Sequence, residues 1–217
     1  MIVFIPLSSL VFTILLIAAT LNDSPDRLWF KLMACAHFVV LGLGAFVYAD
    51  PTTREYGILL GLVLSFLGDL FLALRRRSKN YFILGIAFFT LAQFAYLSIY
   101  PWTSFQYPVF VIAFTLQILT LWAFSQKGVL ELPHNILPFL ILYDLALVAM
   151  VSFTSGLYSF EPNPVTLLRL VSSSAFFLSD SILFMVYFIR PKKKARVVAY
   201  LLFYHFAQTL IALSLWY

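Results

Sequence analysis

The apolar positions of this chain fall into eight runs of about 20 residues, the length of a helical membrane span, separated by short polar turns. Membrane strands would instead alternate apolar and polar over about ten residues. Backbone in lipid must satisfy its own hydrogen bonds, which leaves only helices or a closed barrel. The pattern predicts an all-α, polytopic membrane helix bundle with eight transmembrane helices over 2–21, 28–49, 55–74, 80–99, 106–124, 135–153, 165–189 and 196–216. The breaks have turn chemistry: Asn22-Asp23-Ser24-Pro25-Asp26 and Asp50-Pro51-Thr52-Thr53 are cap and turn sequences. Tyr100-Pro101-Trp102 and Trp216-Tyr217 read as interfacial aromatics. Glu161-Pro162-Asn163-Pro164 ends the longest loop and opens helix seven. The first apolar run lacks a basic leader and is too long for a signal peptide, so it reads as a retained helix. The whole chain, 1–217, reads as one transmembrane domain.

Composition sharpens this. The chain is 63% hydrophobic and 11% charged, against about 25% charged in a soluble domain, which excludes a soluble globular fold. A net charge of +5 would suggest nucleic acid in a soluble protein, but here the basic residues crowd into short loops and no nucleic-acid partner is expected. The loops after helices one, three, five and seven hold Arg27, Lys31, Arg75, Arg76, Arg77, Lys79, Lys127, Arg190, Lys192, Lys193, Lys194 and Arg196; the opposite side holds only Arg54 and Arg169. That bias places the odd loops in the cytoplasm and both termini outside. Cys35 is the single cysteine and cannot form an intramolecular disulfide. The absence of tails and targeting segments suits a bacterial inner membrane.

Two carboxylates interrupt the apolar runs in nearly the same local sequence, Phe66-Leu67-Gly68-Asp69 and Phe177-Leu178-Ser179-Asp180. A charge inside a span is costly, so each marks a candidate site. Each is followed by an apolar stretch, a basic cluster, and a helix carrying Ala-Gln (Ala92-Gln93 and Ala207-Gln208). Arg54 and Arg169 open the corresponding helices. One reading is a parallel repeat of two halves, 1–104 and 105–217, related by an axis along the membrane normal; the other is the common composition of membrane helices. Asp69 ends a stripe of small residues, Gly57, Gly61 and Ser65, spaced i, i+4, which lets a neighbouring helix approach closely. Asp69 therefore faces protein or a cavity. It lies about 9 Å from the basic end of its helix and Asp180 about 15 Å, so one cavity can hold both. The plain alternative for each is a structural hydrogen bond between helices.

Other polar residues cluster near these depths. Tyr204 and Gln208 share a face of helix eight, with His205 about 100° around, and Gln93 and Tyr96 form a similar pair on helix four. Asp144, after Tyr143, either joins the same cavity or bonds a neighbouring helix, the second being favoured. His37 reads as well as a packing residue as a functional one. The run Ser172, Ser173, Ser174 reads as helix-packing hydroxyls. No HExxH, CxxC, phosphate loop, dinucleotide fingerprint or GxSxG elbow is present, and no metal site stands out.

At these residues the chain resembles the YhhN-like lysoplasmalogenase family of eight-helix membrane proteins. The likeness rests on Gly61-Leu62-Val63-Leu64-Ser65-Phe66-Leu67-Gly68-Asp69, on Gly85-Ile86-Ala87-Phe88 leading into Ala92-Gln93-Phe94-Ala95-Tyr96, on Leu178-Ser179-Asp180-Ser181, and on Tyr204-His205-Phe206-Ala207-Gln208. Gln93 stands where the family often has His, and His205 where it often has a second Tyr. The resemblance implies hydrolysis of the vinyl ether bond of lysoplasmalogens, with a lysophospholipid drawn from the membrane lipid as substrate. The implied products are a fatty aldehyde and a glycerophospho-alcohol, and no cofactor is implied. Such hydrolysis begins with proton transfer to the alkenyl carbon, and a carboxylic acid in a low-dielectric site can supply the proton. A second, ionised carboxylate can stabilise the resulting oxocarbenium ion, as in glycosidases. On this basis Asp180 is assigned as acid and Asp69 as stabiliser, a pairing open to reversal. Tyr204, His205, Gln208, Gln93 and Tyr96 would line the substrate site, and Arg75 with its basic neighbours would hold the phosphate.

Two other classes compete. An intramembrane aspartyl protease also uses two helix-borne aspartates, but here Gly-Asp precedes Tyr-Asp and the GxGD form is missing. A small-molecule or lipid transporter, or a lipid-binding membrane protein, would also suit paired polar residues near the midplane and Pro108 and Pro138 near helix starts.

Overall fold

In the computed structural model each apolar run is a helix. The described residues are 4–49, 55–75, 77–191 and 193–217, without the side chains of Lys79 and His134. The Asp50-Pro51-Thr52-Thr53 turn, Arg54, Arg76 and Lys192 lie outside them. The helices are α1 (Phe4–Leu21), α2 (Arg27–Tyr48), α3 (Tyr56–Leu74), α4 (Lys79–Leu97), α5 (Tyr107–Gln126), α6 (Leu137–Phe160), α7 (Pro164–Phe188) and α8 (Lys194–Leu213). All eight are long and apolar enough to cross a membrane. The chain is an integral, multi-pass membrane protein, and its fold is a polytopic helical bundle.

Most boundaries lie within three residues of expectation. The exception is α6, which continues to Phe160 rather than ending at 153, so the expected longest loop shrinks to three residues before α7. Thr154 and Gly156 look like loop residues in isolation. In the fold, Thr154 Oγ1 donates back to the Met150 and Val151 carbonyls at 2.9 and 3.1 Å, which keeps the hydroxyl inside the helix. Gly156 packs directly on the Ser104 main chain, where an added Cβ would collide with the carbonyl. Tertiary contact overrides local propensity here. The Gly156→Ala variant is therefore expected to lose about 1–3 kcal/mol of stability, read as a lowered thermal unfolding midpoint in detergent. An unchanged midpoint would show that this approach is not rigid.

The start of α7 behaves as its sequence suggests. Asn163 accepts from Thr166 N at 2.9 Å while Thr166 Oγ1 accepts from Asn163 N at 3.0 Å, a reciprocal capping box, and Pro164 sits in the first turn.

The most extensive helix contacts are α3 with α4 and α7 with α8. The α2 helix packs on α3 and α8, and α6 packs on α4 and α7. Cys35, Phe38, Leu62, Phe89, Tyr96, Phe176 and Tyr204 form the centre of the core. The outer helix α5 is held differently. It packs chiefly on α6 and has no buried residue; Val111, Ile112, Leu116 and Trp122 are exposed, as expected of a lipid-facing surface.

Candidate active site

The small-residue stripe of α3 does what its spacing suggests. Gly61 lies flat against the ring of Tyr96 on α4, leaving no room for a Cβ. That approach brings Ser65 Oγ within 3.3 Å of the Tyr96 hydroxyl. The Tyr96 hydroxyl donates to Gln208 Oε1 at 2.9 Å, so Ser65 is the donor at the first link. Gln208 Nε2 donates to the Tyr204 hydroxyl at 3.3 Å, and the Tyr204 hydroxyl donates to Asp69 Oδ2. Five side chains from α3, α4 and α8 thus form one relay in which every donor points toward Asp69. Aligned hydrogen bonds of this kind strengthen one another in a low-dielectric interior.

Two further donors reach Asp69 from α2. Lys31 Nζ is 2.9 Å from Oδ1, and Cys35 Sγ is 3.2 Å from Oδ2. The two residues are one turn apart on the same face of α2. The side chains of Lys31 and Asp69 are 13% and 6% exposed, so this is a buried ion pair, whose charges need each other and their hydrogen bonds. Asp69 is a fixed anion held by an ammonium, a phenol and a thiol.

Asp180 has different surroundings. Its Oδ2 accepts from the Tyr143 hydroxyl of α6, and no Lys or Arg pairs with it among the described residues. It borders two cavities. The first is about 20 Å³ and is lined by Lys31, Asp69, Asp180, Tyr187, Tyr204 and His205, among others. The second is about 430 Å³, lies between α4, α5, α6 and α7, and is lined largely by Leu, Ile and Phe side chains. That volume falls in the range of small-molecule sites, about 300–1,000 Å³. Among the described residues, no Lys or Arg lines it. Three of its polar residues form one cluster, in which Gln117 Nε2 donates to Asp144 Oδ1 at 3.0 Å and to Ser181 Oγ at 3.1 Å. This ties α5 to α6 and α7. One end of the cavity reaches Leu132, Phe188 and Ile189. There the α5–α6 and α7–α8 loops pair, with Glu131 N bonded to Phe188 O and Arg190 N to Val129 O.

The sequence-predicted residues divide into three groups. Asp69, Asp180, Tyr204 and His205 line the small cavity together. Tyr96 and Gln208 stand behind Asp69 in the relay rather than on a cavity wall. Gln93 and Arg75 line neither cavity. Gln93 is fully buried, with neither amide atom hydrogen-bonded among the described residues. Arg75 caps α3, donates to the Leu72 carbonyl at 2.8 Å, and lies 4.9 Å over the Tyr187 ring. Asp144 bonds a neighbouring helix and also faces the larger cavity. His37 is a packing residue, with Nδ1 2.6 Å from the Met33 carbonyl and its ring against Phe12.

Sequence reasoning missed Lys31, Cys35 and Tyr143. Lys31 reads in the sequence as a loop charge, although it lies one full turn inside α2. Its i, i+4 spacing from Cys35 was the available signal. Tyr143 stands out in the sequence only as the neighbour of Asp144, and the structure pairs it with Asp180. Among the described residues, no group of three or more His, Cys, Asp or Glu side chains gathers as a metal site would require.

The arrangement sets two carboxylates of unlike surroundings on one small polar cavity. One is locked into an ion pair. The other is bonded by a single phenol and borders both the apolar and the polar space.

No curated protein and no solved structure matches the chain. The YhhN family model matches residues 27–215, a span that begins with the helix supplying Lys31 and ends just beyond the helix supplying Tyr204 and Gln208. The chain thus belongs to the YhhN family.

Proposed function

We propose that this protein is a lysoplasmalogenase-like hydrolase that cleaves the vinyl ether bond of lysoplasmalogens in the bacterial inner membrane. The observation that carries this reading is the position of Asp180, on the border between a cavity of about 430 Å³ lined by hydrocarbon and a small polar pocket containing Asp69. The alkenyl chain occupies the larger cavity, and the vinyl ether carbons reach Asp180. The Asp180 carboxyl gives its proton to the alkenyl carbon distal to oxygen, and the carbon attached to oxygen becomes an oxocarbenium centre. Asp69 is a pre-set anion beside that centre, and such preorganised charge lowers the barrier without reorganisation. Water adds, the hemiacetal collapses, and the products are a fatty aldehyde and a glycerophospho-alcohol. Arg75 and the neighbouring basic loops hold the lipid phosphate at the mouth of the bundle. The reaction needs no cofactor.

The test is aldehyde release by purified protein in detergent, from 1-alkenyl lysophosphatidylethanolamine and from its saturated 1-alkyl analogue. Release from the vinyl ether alone is expected. Release from neither substrate by folded protein would overturn the proposal and favour a lipid transporter, which moves its substrate unchanged.

A further inference from the structure

The small polar cavity contains one group that the relay does not use. His205 is 3% exposed and lines the cavity together with Lys31, Asp69 and Asp180. Neither ring nitrogen has a hydrogen-bond partner among the described residues. A neutral imidazole carries one donor and one acceptor, and buried groups of this kind are nearly always bonded. No neighbouring side chain among the described residues reaches hydrogen-bond distance of either nitrogen. Asp69 holds Lys31, Cys35 and Tyr204, and the Tyr204 hydroxyl is also occupied by Gln208. The partner of His205 must therefore come from the cavity.

The size of the cavity decides what that partner is. At about 20 Å³ it exceeds the roughly 10–15 Å³ that one water molecule needs, and it is far too small for a lipid chain. A buried water needs two to four polar partners, and the wall offers the imidazole, the two carboxylates and the Lys31 ammonium. We infer that His205 holds a single water molecule between Asp69 and Asp180, and that this water is the nucleophile of the hydrolysis. The second half of this inference rests on the proposed vinyl ether activity.

The chemistry then balances around one proton. Asp180 gives its proton to the alkenyl carbon and is left as a carboxylate. The water oxygen forms a bond to the oxocarbenium carbon, and the water proton passes to Asp180, which restores the acid. The hemiacetal then breaks its carbon–oxygen bond to glycerol, its hydroxyl proton moving to the leaving oxygen. The sum is one vinyl ether and one water consumed, with one aldehyde and one alcohol formed. His205 touches the water rather than the lipid, so it is a positioning residue.

The test combines a structural and a kinetic readout on the full chain. A crystal structure of the wild-type protein at a resolution that shows ordered solvent is expected to show one water bonded to the His205 ring. His205→Phe removes both nitrogens and is expected to lower kcat about 100-fold, the scale of a misplaced reactant, with KM unchanged. His205→Asn keeps a donor and an acceptor and is expected to recover most of that loss. A purely structural histidine would instead show its loss in the thermal midpoint, with kcat unchanged. Wild-type kcat in His205→Phe, or a wild-type pocket without an ordered water, overturns the inference. If wild-type protein releases no aldehyde, the proposed activity and the nucleophile assignment fall together. The solvent density then still decides the water site by itself.

Discussion

Asp180→Asn is expected to abolish aldehyde release while leaving the bundle folded. Asparagine has nearly the same volume, and its carbonyl oxygen still accepts the hydrogen bond that Asp180 takes from Tyr143. No ion pair is broken, since none involves Asp180 among the described residues. What disappears is the transferable proton. Loss of a general acid typically lowers the rate by about 10²–10⁴-fold, so kcat should fall by that factor with the thermal midpoint close to wild type. The measurement is a steady-state rate on the alkenyl lysophospholipid beside a thermal unfolding curve. Full activity in Asp180→Asn would remove the carboxyl from the mechanism, even with vinyl ether hydrolysis intact.

The second large effect is expected at Lys31. Lys31→Met leaves Asp69 as a buried carboxylate whose remaining donors are a phenol and a thiol. Breaking a buried pair on one side typically costs about 3–5 kcal/mol. The single variant should therefore unfold at a markedly lower temperature. The double variant Lys31→Met, Asp69→Asn carries no stranded charge and should recover much of that loss, because neutral replacement of a buried pair is often tolerated. It should nevertheless stay inactive, since the stabilising anion is gone. The check is a double-mutant cycle on unfolding midpoints together with aldehyde release from all four proteins. Additive losses of stability would show that the two side chains do not interact as their 2.9 Å separation requires.

Much of the fold was legible because lipid makes the pattern simple. A continuous apolar run admits few structures, and seven of the eight helices end within about three residues of where turn chemistry places them. The eighth, α6, runs on because Gly156 is fixed by the Ser104 main chain, a contact distant in sequence. The same division holds for the site. Asp69 and Asp180 stand out because a carboxylate is conspicuous in a span, and Tyr204 and Gln208 share a helix face with a period the sequence shows. Lys31 was hidden by its own legitimacy: a lysine near a helix end fits the topology rule and prompts no further question. Tyr143 was hidden because a tyrosine in an apolar run is unremarkable until another helix supplies its acceptor. Gln93 illustrates the converse, since its spacing from Tyr96 suggested a shared role. A separation of three residues leaves about 60° between two side chains, and only Tyr96 reaches the relay.

The run of hydroxyls and amide behind Asp69 has a head and a tail. Ser65 begins it, Asp69 ends it, and each intermediate group must both give and receive. Serine and tyrosine manage this by rotating one hydroxyl. At position 208 the two duties fall on separate atoms, the amide oxygen facing Tyr96 and the amide nitrogen facing Tyr204. An ionised glutamate, equal in size, could only receive, and nothing would then be directed onward to Tyr204. Polarity, rather than volume, therefore fixes the residue type at 208, and the ordering of dipoles across three helices depends on one side chain that reads differently at its two ends.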